Sequence, residues 1–174
     1  MQLSDQRDIR AAPAVVWAAI LDPAFLKEAV PGCESMTGSV ADGFEAVVVQ
    51  KIGPVKARFT GIVKISDIVE GRSLRISGEG KGGPAGFAKG GANVTLEPNE
   101  GGTRLSYDVE ASVGGKLAQL GSRLIEGFAK KMADDFFARF QEAVEGPPEP
   151  EPVAEGEAGS EEAPKKGWFK RLIG

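Results

Sequence analysis

Leu105, Tyr107, Val109, Ala111 and Val113 alternate with Ser106, Asp108, Glu110 and Ser112, and directly afterwards the apolar residues recur every third or fourth position. The first period belongs to a strand buried on one face, the second to a helix buried along one stripe. Neither can be stable alone, because each leaves an apolar face that needs a partner. Leu117, Leu120, Leu124, Phe128, Met132, Phe136 and Phe140 form the stripe, widened by Ile125 and Phe137. The spacing predicts one helix over 114–144, about 45 Å long at ~1.5 Å per residue. The only surface large enough to receive it is a sheet.

The rest of the chain supplies that sheet. Val55, Ala57, Phe59, Gly61, Val63 and Ile65 alternate with mostly polar residues, and Phe44–Lys51 is rich in Val. Turn signals at Asp42-Gly43, Gly53-Pro54, Glu70-Gly71 and Asn99–Gly102 divide 33–113 into antiparallel strands. Gln2–Arg10 reads as a first strand. Pro13 and then Asp22-Pro23 open two short helices, since proline suits the first turn and aspartate caps it. The expected fold is α+β, a seven-stranded antiparallel sheet curved around a long C-terminal helix.

Composition removes whole classes of chemistry. The chain has no histidine and one cysteine. It therefore cannot hold a histidine-based catalytic triad, a His-ligated metal, an intrachain disulfide or a cysteine metal cluster. No catalytic residue, metal ligand or cofactor is expected. No run of about 18 apolar residues is present, so no membrane-spanning helix is expected. The first ten residues lack an apolar h-region, so no signal peptide is expected either.

The net charge of −4 is a sum of unlike parts. Residues 1–144 carry 17 basic and 18 acidic groups and read as the folded domain. Residues 145–164 carry seven Glu, no basic residue and frequent proline, the composition of a disordered linker. Residues 165–174 carry Lys165, Lys166, Lys170 and Arg171 and no acid. On a helix starting near Lys166, Trp168, Phe169, Leu172 and Ile173 share one arc of about 140°, the pattern of an interfacial anchor. That peptide could meet a bilayer, a groove on a partner protein or its own domain. A neutral domain on an acidic linker gives no footprint for nucleic acid.

The order strand, two short helices, six strands and long helix is similar to the helix-grip, START/Bet v1-like fold. Within it, AAPAVVWAAILDPAFLKEAVPGCESM, KIGPVKARFTGIVKI, GGTRLSYDVEASVGGKLAQLGSRLI and Phe136-Phe137 resemble the carbon monoxide dehydrogenase CoxG family over about residues 1–144. The steps Pro31-Gly32-Cys33 and Gly53-Pro54-Val55 and the segment Gly114–Gly121 carry most of the likeness. It implies a non-enzymatic accessory protein that binds a hydrophobic molecule such as a quinone or lipid. Its partner would be a CO dehydrogenase-type molybdenum hydroxylase, recruited to the inner face of the cytoplasmic membrane. Many members end in a hydrophobic membrane segment, whereas this chain ends in a basic amphipathic peptide, which favours reversible contact. Competing readings on the same fold are a polyketide cyclase/dehydrase-like enzyme and a general lipid-transfer protein.

Residue size points to where a ligand could sit. Gly78, Gly80, Gly82, Gly83, Gly86, Gly90 and Gly91 crowd two successive strands and their link. Small walls leave room between sheet and helix, and Phe25, Phe59, Phe87, Leu117, Leu120, Leu124 and Phe128 are the expected apolar lining. The same residues could equally be plain core. An enzyme would need polar groups inside, such as Tyr107, Arg104 or Asp108, and only Tyr107 lies on the apolar side of its strand. Cys33 reads as a small residue after a turn, Asp134-Asp135 and Lys81 and Lys89 as solvated charge. The glycine run lacks the GK[ST] of a phosphate loop.

Overall fold

The structure, a computed structural model, describes residues 1–146. Among these, seven strands form one antiparallel sheet: β1 (Gln2–Ile9), β2 (Cys33–Ser39), β3 (Gly43–Ile52), β4 (Val55–Val69), β5 (Ser73–Lys81), β6 (Phe87–Asn99) and β7 (Gly102–Gly114). The spatial order is β1-β7-β6-β5-β4-β3-β2. All strands after β1 form a meander, and β1 returns to pair with β7, Leu3 facing Val109 and Arg7 facing Leu105. The four turns expected from glycine and proline each join neighbouring strands. Residues 147–174, which hold most of the 145–164 linker and all of the C-terminal peptide, lie outside the described residues.

Two helices link β1 to β2. Helix α1 (Pro13–Ile20) begins with proline, and α2 (Pro23–Ala29) is capped by Asp22, whose carboxylate accepts from the Ala24 and Phe25 amides at 2.9 and 3.5 Å. A proline at the helix start loses no hydrogen bond. Trp17 fastens this corner to the β4–β5 turn by donating from Nε1 to Glu70 at 3.0 Å.

The long helix is shorter than the sequence spacing predicts. Gly115–Leu120 forms a 3₁₀ turn, and α3 runs from Ser122 to Glu145. Its 24 residues span about 36 Å at ~1.5 Å each. Gly115 and Gly121 cause the break, with φ of +71° and +92°, a backbone region closed to a continuing right-handed helix. Gly115 also lies so close to Gly86 that a Cβ there would stand 2.6 Å from the Gly86 Cα. Leu117 and Leu120 therefore belong to a plug before the helix, not to its stripe.

The core gathers at one end. Ile9, Val16, Trp17, Ile20, Leu74, Leu96, Leu105 and Phe140 are all buried there. Two ion pairs fasten α3 to β1 and the residue after it: Arg7 to Asp134 at 2.8 Å and Arg10 to Glu145 at 3.0 Å. Phe25 meets Phe140 edge-on at 5.3 Å, and Tyr107 stacks on Phe137 at 5.1 Å.

Candidate functional site

Inward side chains shrink along the sheet. On β5 they run Leu74, Ile76, Gly78, Gly80; on β6, from the packed end, Leu96, Val94, Ala92, Gly90, Ala88; on β7 they fall from Leu105 and Tyr107 through Val109 to Ala111, with Val113 closing the far end. Register places the small ones side by side, Gly78 opposite Gly90 and Gly90 opposite Ala111. A helix resting on this tapered face touches it at the large end and stands clear at the small end. Among the described α3 residues only Phe137 and Phe140, both in the C-terminal half, are fully buried.

The clearance is a cavity of about 610 Å³, well within the range that holds a small molecule. Its floor is the inner side of the core, including Leu105 and Phe140, and its roof is Ile125, Phe128, Ala129 and Met132 of α3. β3 and β4 close one side with Val48, Ile52, Phe59 and Val63. Among the described residues, the only lining side chains with nitrogen or oxygen are Gln50 and Tyr107. Water inside would find few partners, so an apolar occupant is favoured.

The two polar groups differ. The Tyr107 hydroxyl accepts from Arg7 Nη2 at 3.3 Å, and Arg7 also lies over the Phe137 ring at 4.9 Å. Burial opposes the charge of Arg7, but its hydrogen bonds to Asp134 and Tyr107 outweigh this and raise its pKa. The Tyr107 oxygen is thus held in place by Arg7, with its own O–H left to donate. Gln50 donates from Nε2 to the Pro31 carbonyl at 2.5 Å, with the Met132 sulfur at 3.9 Å. The carbonyl partner fixes the amide orientation, and among the described residues no donor reaches Gln50 Oε1. Gln50 and Tyr107 are the two described wall side chains able to bond a polar atom of a ligand.

The expected lining divides. Phe59, Leu117 and Phe128 face the cavity. Phe25 packs on Phe140 behind it. Phe87 sits on the odd-numbered, outward side of β6, 39% exposed, with its ring over Gly114. Leu124 is one step off the inward arc, 40% exposed and resting on Gly53. Leu120 is half-buried in the 3₁₀ turn. Arg104 and Asp108 point outward, bonding Asp8 at 2.9 Å and Ser4 at 2.5 Å. Asp134 and Asp135 pair separately, with Arg7 and with Lys131. Cys33 donates to the Ser35 carbonyl at 3.3 Å, and burial pushes its thiol pKa up, away from reactivity.

Sequence reasoning missed Gln50 and the β3 wall. Val47, Val48 and Val49 are apolar on both faces of the strand, which hides its inward parity. Phe44, Ala46, Val48 and Ile52 give that parity once the strand is known, and Gln50 is the polar exception within it.

The family profile of the carbon monoxide dehydrogenase subunit CoxG matches residues 6–145. Among solved structures, a conserved protein from Geobacillus kaustophilus is 29% identical, with a TM-score of 0.77, over 83% of this chain and 95% of that one. A protein from Chromobacterium violaceum is 19% identical, TM-score 0.61, over 84% and 99%. A START superfamily protein from Mycobacterium smegmatis is 13% identical, TM-score 0.62, over 83% and 97%. No curated protein matches the chain significantly.

Proposed function

We propose, because this chain belongs to the carbon monoxide dehydrogenase CoxG family and builds a tapered apolar cavity, that it is a non-enzymatic accessory protein. It would bind a hydrophobic ring-bearing molecule and serve a molybdenum hydroxylase of CO dehydrogenase type at the cytoplasmic membrane. The observation that carries the reading is the apolar cavity of about 610 Å³ whose described lining holds just two polar side chains, Gln50 and Tyr107. A quinone suits that wall. Its ring and chain match the apolar lining, and Gln50 can accept from a quinol hydroxyl or donate its second N–H to a quinone carbonyl. Phe59, Leu117 and Phe128 would pack on the ring.

The C-terminal peptide, with Trp168, Phe169, Leu172 and Ile173 among four basic residues, would act as a reversible anchor on bilayer or enzyme. The linker makes the second contact intramolecular and so raises its effective concentration. Native mass spectrometry of the full chain incubated with short-chain quinones, quinols and phospholipids tests the ligand class. A stoichiometric quinone or quinol adduct supports the reading. Adducts with phospholipid alone favour lipid transfer, and no adduct with any of them removes the ligand-binding role. Pull-down with the tagged chain tests the partner, and failure to retain a molybdenum hydroxylase would count against it.

A further inference from the structure

Three links meet at the hollow end: the β3–β4 turn, the β5–β6 link and the β7–α3 link. Their contact is direct, since a Cβ on Gly53 would touch Leu124 and one on Gly86 would strike the Gly114 carbonyl. Segments 49–58, 80–88 and 111–125 carry six basic residues, Lys51, Lys56, Arg58, Lys81, Lys116 and Arg123, and no acid. Segments 40–43, 66–72, 97–102 and 141–146, at the packed end, carry seven carboxylates and one base, Arg72, with Arg10 nearby on Glu145. A domain that is neutral in total is therefore polarised from end to end. Among the described residues only Arg58 of the six basic groups has an ion-pair partner, Glu34. The acids directly beside these segments along the chain are Glu79, Glu110 and Glu126, and Glu110 pairs with Arg75.

The basic end also exposes apolar groups. Leu124 and Phe87 are 40% and 39% exposed, and Pro54 and Pro84 are exposed beside them. The cavity reaches the same end through Ile52, Phe59, Leu117 and Ile125. We infer that this end of the domain docks directly on an anionic lipid surface, with Lys51, Lys56, Lys81, Lys116 and Arg123 among the headgroups and Leu124 and Phe87 at the acyl boundary. Apolar tips inside a cationic ring match the layering of a bilayer, whose charge lies outside its hydrocarbon. An acidic protein groove would match the charge but not the apolar cavity continuing behind it. The surface is distinct from the C-terminal peptide and orients the cavity toward the hydrocarbon. The inference rests on reading the cavity as a hydrophobic-ligand site.

The test uses the full chain with Cys33→Ser and one polarity-sensitive fluorophore, on Pro54→Cys at the hollow end or Glu100→Cys at the packed end. It is mixed with phosphatidylglycerol–phosphatidylcholine vesicles containing brominated acyl chains. The fluorophore at position 54 should be quenched and that at 100 should not, and the quenching should persist with Trp168→Ala/Phe169→Ala. Lys51→Gln/Lys56→Gln/Lys81→Gln/Lys116→Gln should weaken vesicle binding through this end by about fivefold per removed charge, several hundredfold in all. Should that variant unfold by circular dichroism, loss of the position-54 quenching at raised salt makes the same point on the unaltered charges. Quenching at both positions, at neither, or only while Trp168 and Phe169 are present overturns the inference. Quinone binding measured in detergent without vesicles separates the two ideas. Binding without docking leaves the cavity reading intact, and docking without binding does the reverse.

Discussion

The two ends of the sheet are made from the same strands and covered by the same helix, yet they do different things. At the packed end, Leu74, Leu96, Leu105 and Phe140 are buried in one cluster. At the other, Gly80, Ala88, Ala111 and Phe128 line a cavity. The β5–β6 and β6–β7 ladders run unbroken through both. Side-chain volume along β5 and β6 makes one end of a continuous sheet a clamp and the other a container. Stability and ligand binding can therefore be altered separately, one end at a time.

The largest expected effect breaks the clamp. Phe140 is fully buried and touches Phe25, Phe136 and Phe137, so Phe140→Ala should lose about 3–5 kcal/mol in urea unfolding. Phe128→Ala, on the half-buried roof, should lose well under half of that while weakening ligand binding. Equal losses would mean that the hollow end is core after all. Next, Gly80→Leu fills the container. A Cβ at Gly80 would meet only the Phe59 Cβ, at an ordinary 3.8 Å, so the fold should melt within a few degrees of the parent while ligand affinity falls at least tenfold by calorimetry.

A smaller effect sharpens the chemistry of the wall. Gln50→Leu should abolish discrimination between a hydroxyl-bearing ligand and its deoxy analogue, a change of about 1–1.5 kcal/mol in relative affinity. Unchanged discrimination would move the polar contact elsewhere. The smallest effect concerns the clamp's edge. Burial favours the neutral form of Glu145, but hydrogen bonds from the Arg10 amide and Gln141 outweigh it, and its pKa is lowered. The Arg7 guanidinium likewise holds Asp134 below the usual carboxylate range. A carboxylate whose folded pKa is depressed stabilises above its unfolded value and loses that contribution as pH falls through the folded one. Thermal stability should thus decline as pH drops below about 4, and Glu145→Gln should flatten the decline in a pH series. An unchanged slope would exclude this pair as a source.

Much of the clamp is legible in the sequence because it obeys one period at a time. β7 alternates, the hairpin turns carry glycine or proline, and Asp22-Pro23 announces α2. The container is legible in one respect only, the clustering of glycine on β5 and β6. Its individual walls are not. Leu117 and Leu120 fit a helical stripe by spacing, and only the positive φ of Gly115 and Gly121 removes them from it. Phe87 and Leu124 are large and apolar, but a parity of one residue on a strand and a rotation of about 100° on a helix send both outward. Phe25 is apolar and inward, yet it serves Phe140 rather than the cavity. Which apolar residue faces space and which faces another side chain is a tertiary fact that local periodicity does not encode.

The central claim is that the hollow end holds an apolar ring-bearing ligand. The most direct test is the thermal shift given by one short-chain quinone on two full-length proteins, the parent and Gly80→Leu. The account predicts a concentration-dependent rise in melting temperature for the parent, following mass action, and none for Gly80→Leu. An equal rise in both, or no rise in the parent up to the quinone's solubility limit, would contradict it.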